Sequence, residues 1–223
     1  MSHPVHTAEV VALRRLSEKT FELELTRPPS FVFSAGQRIR LVTEHGERDY
    51  SLVSGPSQET LILCIRGVEG GVLSPRLSAL QMGDILTFSG PHGYFVYRPS
   101  GRQPVFVATG TGIAPFVSMA RSGVRGFVLL HGVSMPGELY YQSLFETTPS
   151  TYVPCISRAP DGPSSGGLGA AMFRGRVTTY IRNRLRSGVY DFYLCGREEM
   201  IRDATHLVDE RFGGSHVYTE IFF

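Results

Sequence analysis

Cysteine is scarce in this 223-residue chain: Cys64, Cys155 and Cys195 are an odd set, and no two are spaced as CxxC. They give neither a disulfide framework nor the ligand pattern of zinc or an iron–sulfur cluster, and they suit a reducing compartment. The seven histidines are scattered and form no HExxH-type pair, so no metal site is expected. A charge excess is missing too. The 22 basic and 20 acidic residues leave a formal +2, too little to point to a nucleic-acid partner. Lys19 is the only lysine, so nearly every cationic site carries the planar arginine fork that suits phosphates and carboxylates. No run reaches the roughly 18 apolar residues of a membrane span, and Met1–His6 lacks a charged start followed by an apolar stretch. A cytoplasmic protein without a membrane span is the expectation.

The hydrophobic pattern changes period near the middle of the chain. Up to about residue 98 it alternates by two: Phe21, Leu23 and Leu25, then Ile39 and Leu41, then Leu61, Leu63 and Ile65. Turn chemistry at Arg27–Ser30, Glu44–Glu47 and Ser54–Ser57 separates these short strands, the rhythm of an antiparallel barrel or sandwich, with one short helix at Ser74–Leu80. From residue 104, apolar runs alternate with helical stretches. Strands at Pro104–Ala108, Gly126–Leu130, Thr151–Ile156 and Asp191–Leu194 and helices at Ala114–Ala120, Gly137–Phe145, Val177–Leu185 and Glu198–Arg211 describe a doubly wound parallel sheet. Two domains follow, 1–98 and 102–223, joined through Arg98–Arg102. Ala159–Ala171, rich in Gly, Ser and Pro, reads as a surface loop of the second.

Five segments carry chemistry. In Arg48-Asp49-Tyr50-Ser51 an arginine can pair a phosphate, a tyrosine can lie on an aromatic ring and a serine can bond a ring nitrogen. On a straight strand Arg48 and Tyr50 share one face and Ser51 takes the other, and a bulge or barrel rim could bring them together. Gly70-Gly71-Val72-Leu73-Ser74 is equally a phosphate turn ahead of a helix or a Gly-Gly turn with Ser74 as an ordinary N-cap. Gly110-Thr111-Gly112-Ile113-Ala114-Pro115 follows the strand Val105–Ala108 and starts a helix with Pro115 in its first turn. It lacks the third glycine of GxGxxG, which argues for a different dinucleotide class. Cys195-Gly196 ends a strand, and Glu220-Ile221-Phe222-Phe223 closes the sequence on an acid and two aromatics.

In this order the segments resemble those of the ferredoxin–NADP reductase superfamily, over essentially the whole chain. The resemblance implies an N-terminal flavin-binding antiparallel β-barrel and a C-terminal α/β nucleotide-binding domain. It places Arg48 at the flavin phosphate, Tyr50 against the isoalloxazine and Ser51 near N5, with Asp49 inside the same motif. Gly71, Val72, Leu73 and Ser74 match the family's phosphate turn. Thr109, Gly110, Thr111 and Gly112 match its dinucleotide loop, and Cys195 and Gly196 the pair beside the nicotinamide. Glu220 would lie near that ring, and Phe222 or Phe223 would cover the flavin face opposite Tyr50. Ser157-Arg158 resembles the pair that meets an adenosine 2′-phosphate, with Arg174 and Arg176 as second contacts, although Ser134 stands where some members carry an arginine.

The implied cofactors are FAD, ahead of FMN, and NADPH, with NADH as the alternative. The implied reaction is hydride transfer from NADPH to the flavin, with Ser51, Cys195 and Glu220 as the catalytic set, followed by single-electron transfer to a carrier such as ferredoxin or flavodoxin. Arg14, Arg15, Arg38 and Arg40 are candidates for meeting an acidic carrier. Two other readings stand beside this one. The first is an NADH-dependent reductase component of an oxygenase or an electron-input subunit of a larger redox complex. The second is a non-catalytic flavin- or nucleotide-binding subunit.

Overall fold

The computed structural model describes residues 4–158 and 172–221. The expected Ala159–Ala171 loop lies outside them, as do Phe222 and Phe223. The chain divides into two compact units: Met1–Tyr97 with Ala114–Gly123, and Arg98–Ile113 with Val124–Phe223.

The first unit holds β1 (Val5–Arg15), β2 (Thr20–Thr26), β3 (Arg38–Thr43), β4 (Gly46–Ser51), β5 (Thr60–Arg66) and β6 (Ile85–His92). They form an antiparallel sheet in the order β4-β3-β6-β1-β2-β5. Just past β4, Leu52 bridges Leu63 of β5 and the Val53 N–H donates to the Ile62 carbonyl at 2.8 Å. Those contacts join the two edge strands and close the barrel, which removes exposed edges. The alternating residues read from the sequence, Phe21, Leu23, Leu25, Ile39, Leu41, Leu61, Leu63 and Ile65, all lie in its core. The expected Ser74–Leu80 helix is a single turn, α1 (Ser74–Leu77). Helix α2 (Ala114–Arg121) also belongs to this unit, where the Ser118 hydroxyl donates to the Ser54 carbonyl at 2.7 Å.

The second unit is a six-stranded parallel sheet in the order β10-β9-β8-β7-β11-β12, built from β7 (Gln103–Thr109), β8 (Val128–Val133), β9 (Thr151–Ile156), β10 (Phe173–Arg174), β11 (Tyr190–Gly196) and β12 (His216–Ile221). Side-chain alternation gives the sheet two different faces. Val105, Val107, Leu130, Val153, Phe192 and Leu194 pack with α4 (Val177–Asn183) and α5 (Glu198–Arg211). The opposite parity is aromatic: Phe106 stacks on Phe127 at 4.7 Å, and Phe145 of α3 (Gln142–Thr147) stacks on Tyr152 at 5.6 Å.

Helix α5 runs over the residues the periodicity indicates. The expected helix over Gly137–Phe145 instead breaks into a 3-10 turn, Pro136–Glu138, and α3, because Tyr141 adopts φ +60 between them. Strands β10 and β12 were not read from the sequence. The first is too short to show a period, and the alternation in His216–Ile221 is diluted by polar residues.

Candidate active site

Chain order fixes where a ligand can enter the second unit. From β7 the sheet grows outward through β8, β9 and β10, then β11 returns to the other side of β7. The strand order therefore reverses between β7 and β11, and in open parallel sheets the crevice at the carboxyl ends of such a pair is the ligand site. Ala108 pairs with Cys195, and Cys195 with Glu220, so Thr109, Gly110, Thr111, Gly112, Cys195, Gly196 and Glu220 gather at this one edge.

Glycine makes that gathering possible. A side-chain carbon at Gly112 would lie 2.4 Å from the Cys195 carbonyl oxygen and 2.8 Å from the Gly196 Cα. One at Gly196, where φ is +134, would lie 2.1 Å from the Thr109 hydroxyl, which already accepts the Arg197 N–H at 3.0 Å. At Gly110, with φ +55, the same carbon would meet open space. The loop is thus tight against protein at Gly112 and open at Gly110, the shape required for close approach of a pyrophosphate. Glu220 is buried beside Cys195. Burial first, and the Glu220 carboxylate second, hold the Cys195 thiol well above its ordinary value. It is a neutral thiol, which shapes the site and is no nucleophile.

The same edge carries the cations. Past the end of β9, Ser157 and Arg158 continue the ladder to β8, their N–H groups donating to the Val133 and Ser134 carbonyls at 3.0 Å each. Arg174 pairs with Ile156 from the neighbouring β10, and the Gly175 N–H donates to the Ile156 carbonyl at 2.9 Å. Ser157, Arg158, Arg174 and Arg176 are all exposed and come from adjoining strand ends. Glu138 closes the turn after β8, its carboxylate accepting the Ser134 and Met135 N–H groups at 3.1 Å.

In the barrel, Arg48 is exposed and Ser51 buried. Tyr50 packs half-buried against the core, and burial pushes its phenol up to about 12 against the pull of the Arg48 charge. The Asp49 carboxylate is committed to Arg38 at 2.9 Å and Arg40 at 2.7 Å. Burial alone would raise Asp49, but hydrogen bonds and charge from these two arginines outweigh it and hold the acid below its usual range. Arg14 pairs with Glu22 and Arg15 lies 5.7 Å from the Phe21 ring centroid, so each of the four arginines considered for a carrier is engaged within the barrel. Gly71 is tight against Val68, and Ser74 accepts the Val68 N–H at 2.9 Å. The N-cap position falls on Leu73, with no side-chain cap bond, so Ser74 ties the turn instead of capping the helix.

His131, one residue past the strand expected at Gly126–Leu130, has no role assigned from the sequence and lies inside β8. It is fully buried on the aromatic face, with Nε2 3.3 Å from the Gly110 carbonyl and Nδ1 3.3 Å from the Tyr152 hydroxyl. A lone histidine inside the apolar run Val128–Val133 was the available signal. Burial lowers it from 6.5 to about 4, with the Gly110 carbonyl opposing. The folded value lies below the unfolded one, so the unfolded chain takes the proton first and stability falls as pH drops from about 6.5 towards 4. Between pH 7 and pH 5 the expected loss is about 2 kcal/mol. Urea midpoints at the two pH values should separate more in the parent than in His131→Gln.

Two family models match this chain, the oxidoreductase FAD-binding domain over residues 8–97 and the oxidoreductase NAD-binding domain over residues 106–206. Ferredoxin–NADP reductase B of Sorangium cellulosum is 32% identical over 240 residues, spanning 96% of each chain. The chain belongs to the ferredoxin–NADP reductase superfamily. The phenol 2-monooxygenase reductase component DmpP of a Pseudomonas strain is also 32% identical, over all of this chain and 67% of that protein. Among solved structures of the superfamily's fold, a ferredoxin NADP+ reductase from Neisseria gonorrhoeae with bound FAD and NADP superposes with a TM-score of 0.85 at 24% identity, over 98% of this chain and 99% of that one. The Amycolatopsis cytochrome P450 reductase GcoB gives 0.84 at 28%, over 100% and 71%.

An FAD-binding barrel and an NAD(P)-binding sheet are therefore the two units. The residues present fit both cofactors. The sheet offers a glycine edge open at Gly110 with arginines beside it, and the barrel a surface arginine, a flat half-buried phenol and a glycine turn. Among the described residues no helix is long and apolar enough to cross a membrane, and no group of three His, Cys, Asp or Glu is placed to hold a metal ion.

Proposed function

We propose that this protein is a cytoplasmic reductase that takes hydride from NADPH onto bound FAD and passes electrons singly to a carrier protein, ferredoxin or flavodoxin. The observation that carries the reading is the switch-point edge, where Gly112 lies directly against Cys195–Gly196 and Glu220 is buried alongside. FAD supplies the chemistry, accepting an electron pair and releasing it one electron at a time. The chain binds, orients and excludes water.

In this reading the dinucleotide lies along the carboxyl edge of the sheet. Thr109–Gly112 hold its pyrophosphate, and Ser157 and Arg158 hold the 2′-phosphate with Arg174 and Arg176 beside them. Strand β7, which leads into that loop, is two positions from β9, roughly 10 Å at ordinary strand spacing, which suits an extended nucleotide. Cys195, Gly196 and Glu220 border the nicotinamide. Arg48 takes a flavin phosphate, Tyr50 lies on the ring, Ser51 bonds near N5, and Gly71–Ser74 form the second phosphate turn. The domains assigned to these roles are 1–98 and 102–223.

A second reading, the NADH-dependent reductase component of an oxygenase, is favoured by the identity with DmpP and by Ser134 at the position where an arginine would add a phosphate contact. Oxidised ferredoxin and flavodoxin, offered separately with NADPH to the FAD-loaded protein, test the choice. One-electron reduction of either carrier is expected. Flavin reduction by NADH that feeds an oxygenase component but neither carrier would move the second reading ahead.

A further inference from the structure

We propose that His131 is a positioning residue for the dinucleotide loop, holding the Gly110 carbonyl inward so that the open side of Gly110 is presented ready-made to the pyrophosphate of a nicotinamide dinucleotide. This rests on the assignment of Thr109–Gly112 to that pyrophosphate.

Hydrogen-bond chemistry fixes the arrangement. The Gly110 carbonyl can only accept, so Nε2 must carry the imidazole proton and donate it. Nδ1 is then the acceptor, and the Tyr152 hydroxyl donates to it. Tyr152 is itself buried under Phe145, and burial keeps its phenol protonated at any working pH. The pair thus sets the histidine tautomer from behind, as second partners do for functional histidines. With a value near 4, His131 stays neutral, so the tautomer persists around neutral pH.

Gly110 is where such a hold is useful. Its φ of +55 is a conformation that must be kept, and its Cα faces open space, so the residue has no packing of its own on that side. Thr109, immediately before, is tied to Arg197, and Gly112, immediately after the loop's middle, is wedged against Cys195. The His131 bond supplies the third fixed point, under Gly110 itself. All of these residues belong to the nucleotide unit, so the inference is independent of the barrel.

The test uses three variants of the FAD-loaded protein, with NADP+ binding titrated directly and NADPH KM and kcat measured beside it. Glutamine places its amide nitrogen near the position of Nε2 and keeps the donor to Gly110, whereas asparagine is too short. His131→Asn is therefore expected to weaken NADP+ and raise the NADPH KM about 5- to 10-fold, the loss of one hydrogen bond, with kcat at saturation little changed. His131→Gln is expected to restore most of it. Dithionite reduction of the flavin is expected to be the same in both. Equal effects of Asn and Gln, or an Asn variant that binds NADP+ like the parent, would overturn the positioning role. Gly110→Ala separates that failure from failure of the loop assignment, since its methyl enters the open space beside the loop and strains the φ of +55. If Gly110→Ala also leaves NADP+ binding unchanged, the loop is not the pyrophosphate site and the proposal falls with it.

Discussion

Gly112→Ala is expected to slow NADPH-driven flavin reduction by on the order of 100-fold while dithionite still reduces the same flavin at the parental rate. The new methyl would sit 2.4 Å from the Cys195 carbonyl oxygen, 2.7 Å from its carbon and 2.8 Å from the Gly196 Cα. All three are backbone atoms of a central strand, and no side chain can swing away to make room. Ordinary contact begins near 3.4 Å, so the ends of β7 and β11 must part by about 1 Å. Cys195 is paired through the ladder to Ala108 on one side and Glu220 on the other, so the displacement carries the residues assigned to the nicotinamide. Displacement of this size in a hydride-transfer geometry is what produces a hundredfold loss. Anaerobic rapid mixing checks it, and an unchanged rate would show that the β7–β11 junction does not set the ring's position.

Arg158→Ala is the second large effect, and it is selective. The expected result is a 10- to 100-fold fall in kcat/KM for NADPH, with NADH unaffected. An arginine-to-phosphate bond contributes about 1.5–3 kcal/mol, and each 1.4 kcal/mol is tenfold. The position is well defined because the Arg158 N–H is bonded to the Ser134 carbonyl beyond the end of β9, and Arg174 lies opposite Ile156 on the next strand. Arg174→Ala should give a smaller fall of the same kind. Since NADH lacks the 2′-phosphate, an equal loss with both coenzymes would assign Arg158 to general nucleotide binding and remove the support for NADPH.

Much of this was legible in the sequence because simple periods govern both sheets. Phe21, Leu23 and Leu25 alternate and fill the barrel, and Val105–Ala108 and Tyr152–Ile156 are apolar runs that became strands buried on both faces. The motif residues Thr109–Gly112, Cys195, Gly196 and Glu220 are far apart in the chain, yet strand order alone brings them to one edge. What escaped depended on partners that sequence does not display. Asp49 sits within a flavin motif, but strand pairing with β3 gives its carboxylate to Arg38 and Arg40. Ser74 reads from the sequence equally as part of a phosphate turn or as a helix cap, and only the structure shows its hydroxyl accepting the Val68 N–H instead of capping the helix. His131 gained meaning only when β8 was laid beside β7 and β9, which set its ring between Gly110 and Tyr152.

The most direct measurement of the central claim is anaerobic stopped-flow reduction of the FAD-loaded protein, mixed separately with NADPH and NADH and followed at the flavin's visible absorbance band. Rapid bleaching by NADPH, with NADH much slower, is the predicted result. Faster bleaching by NADH would contradict the coenzyme assignment and favour an oxygenase reductase, and no bleaching by either coenzyme would contradict hydride transfer itself.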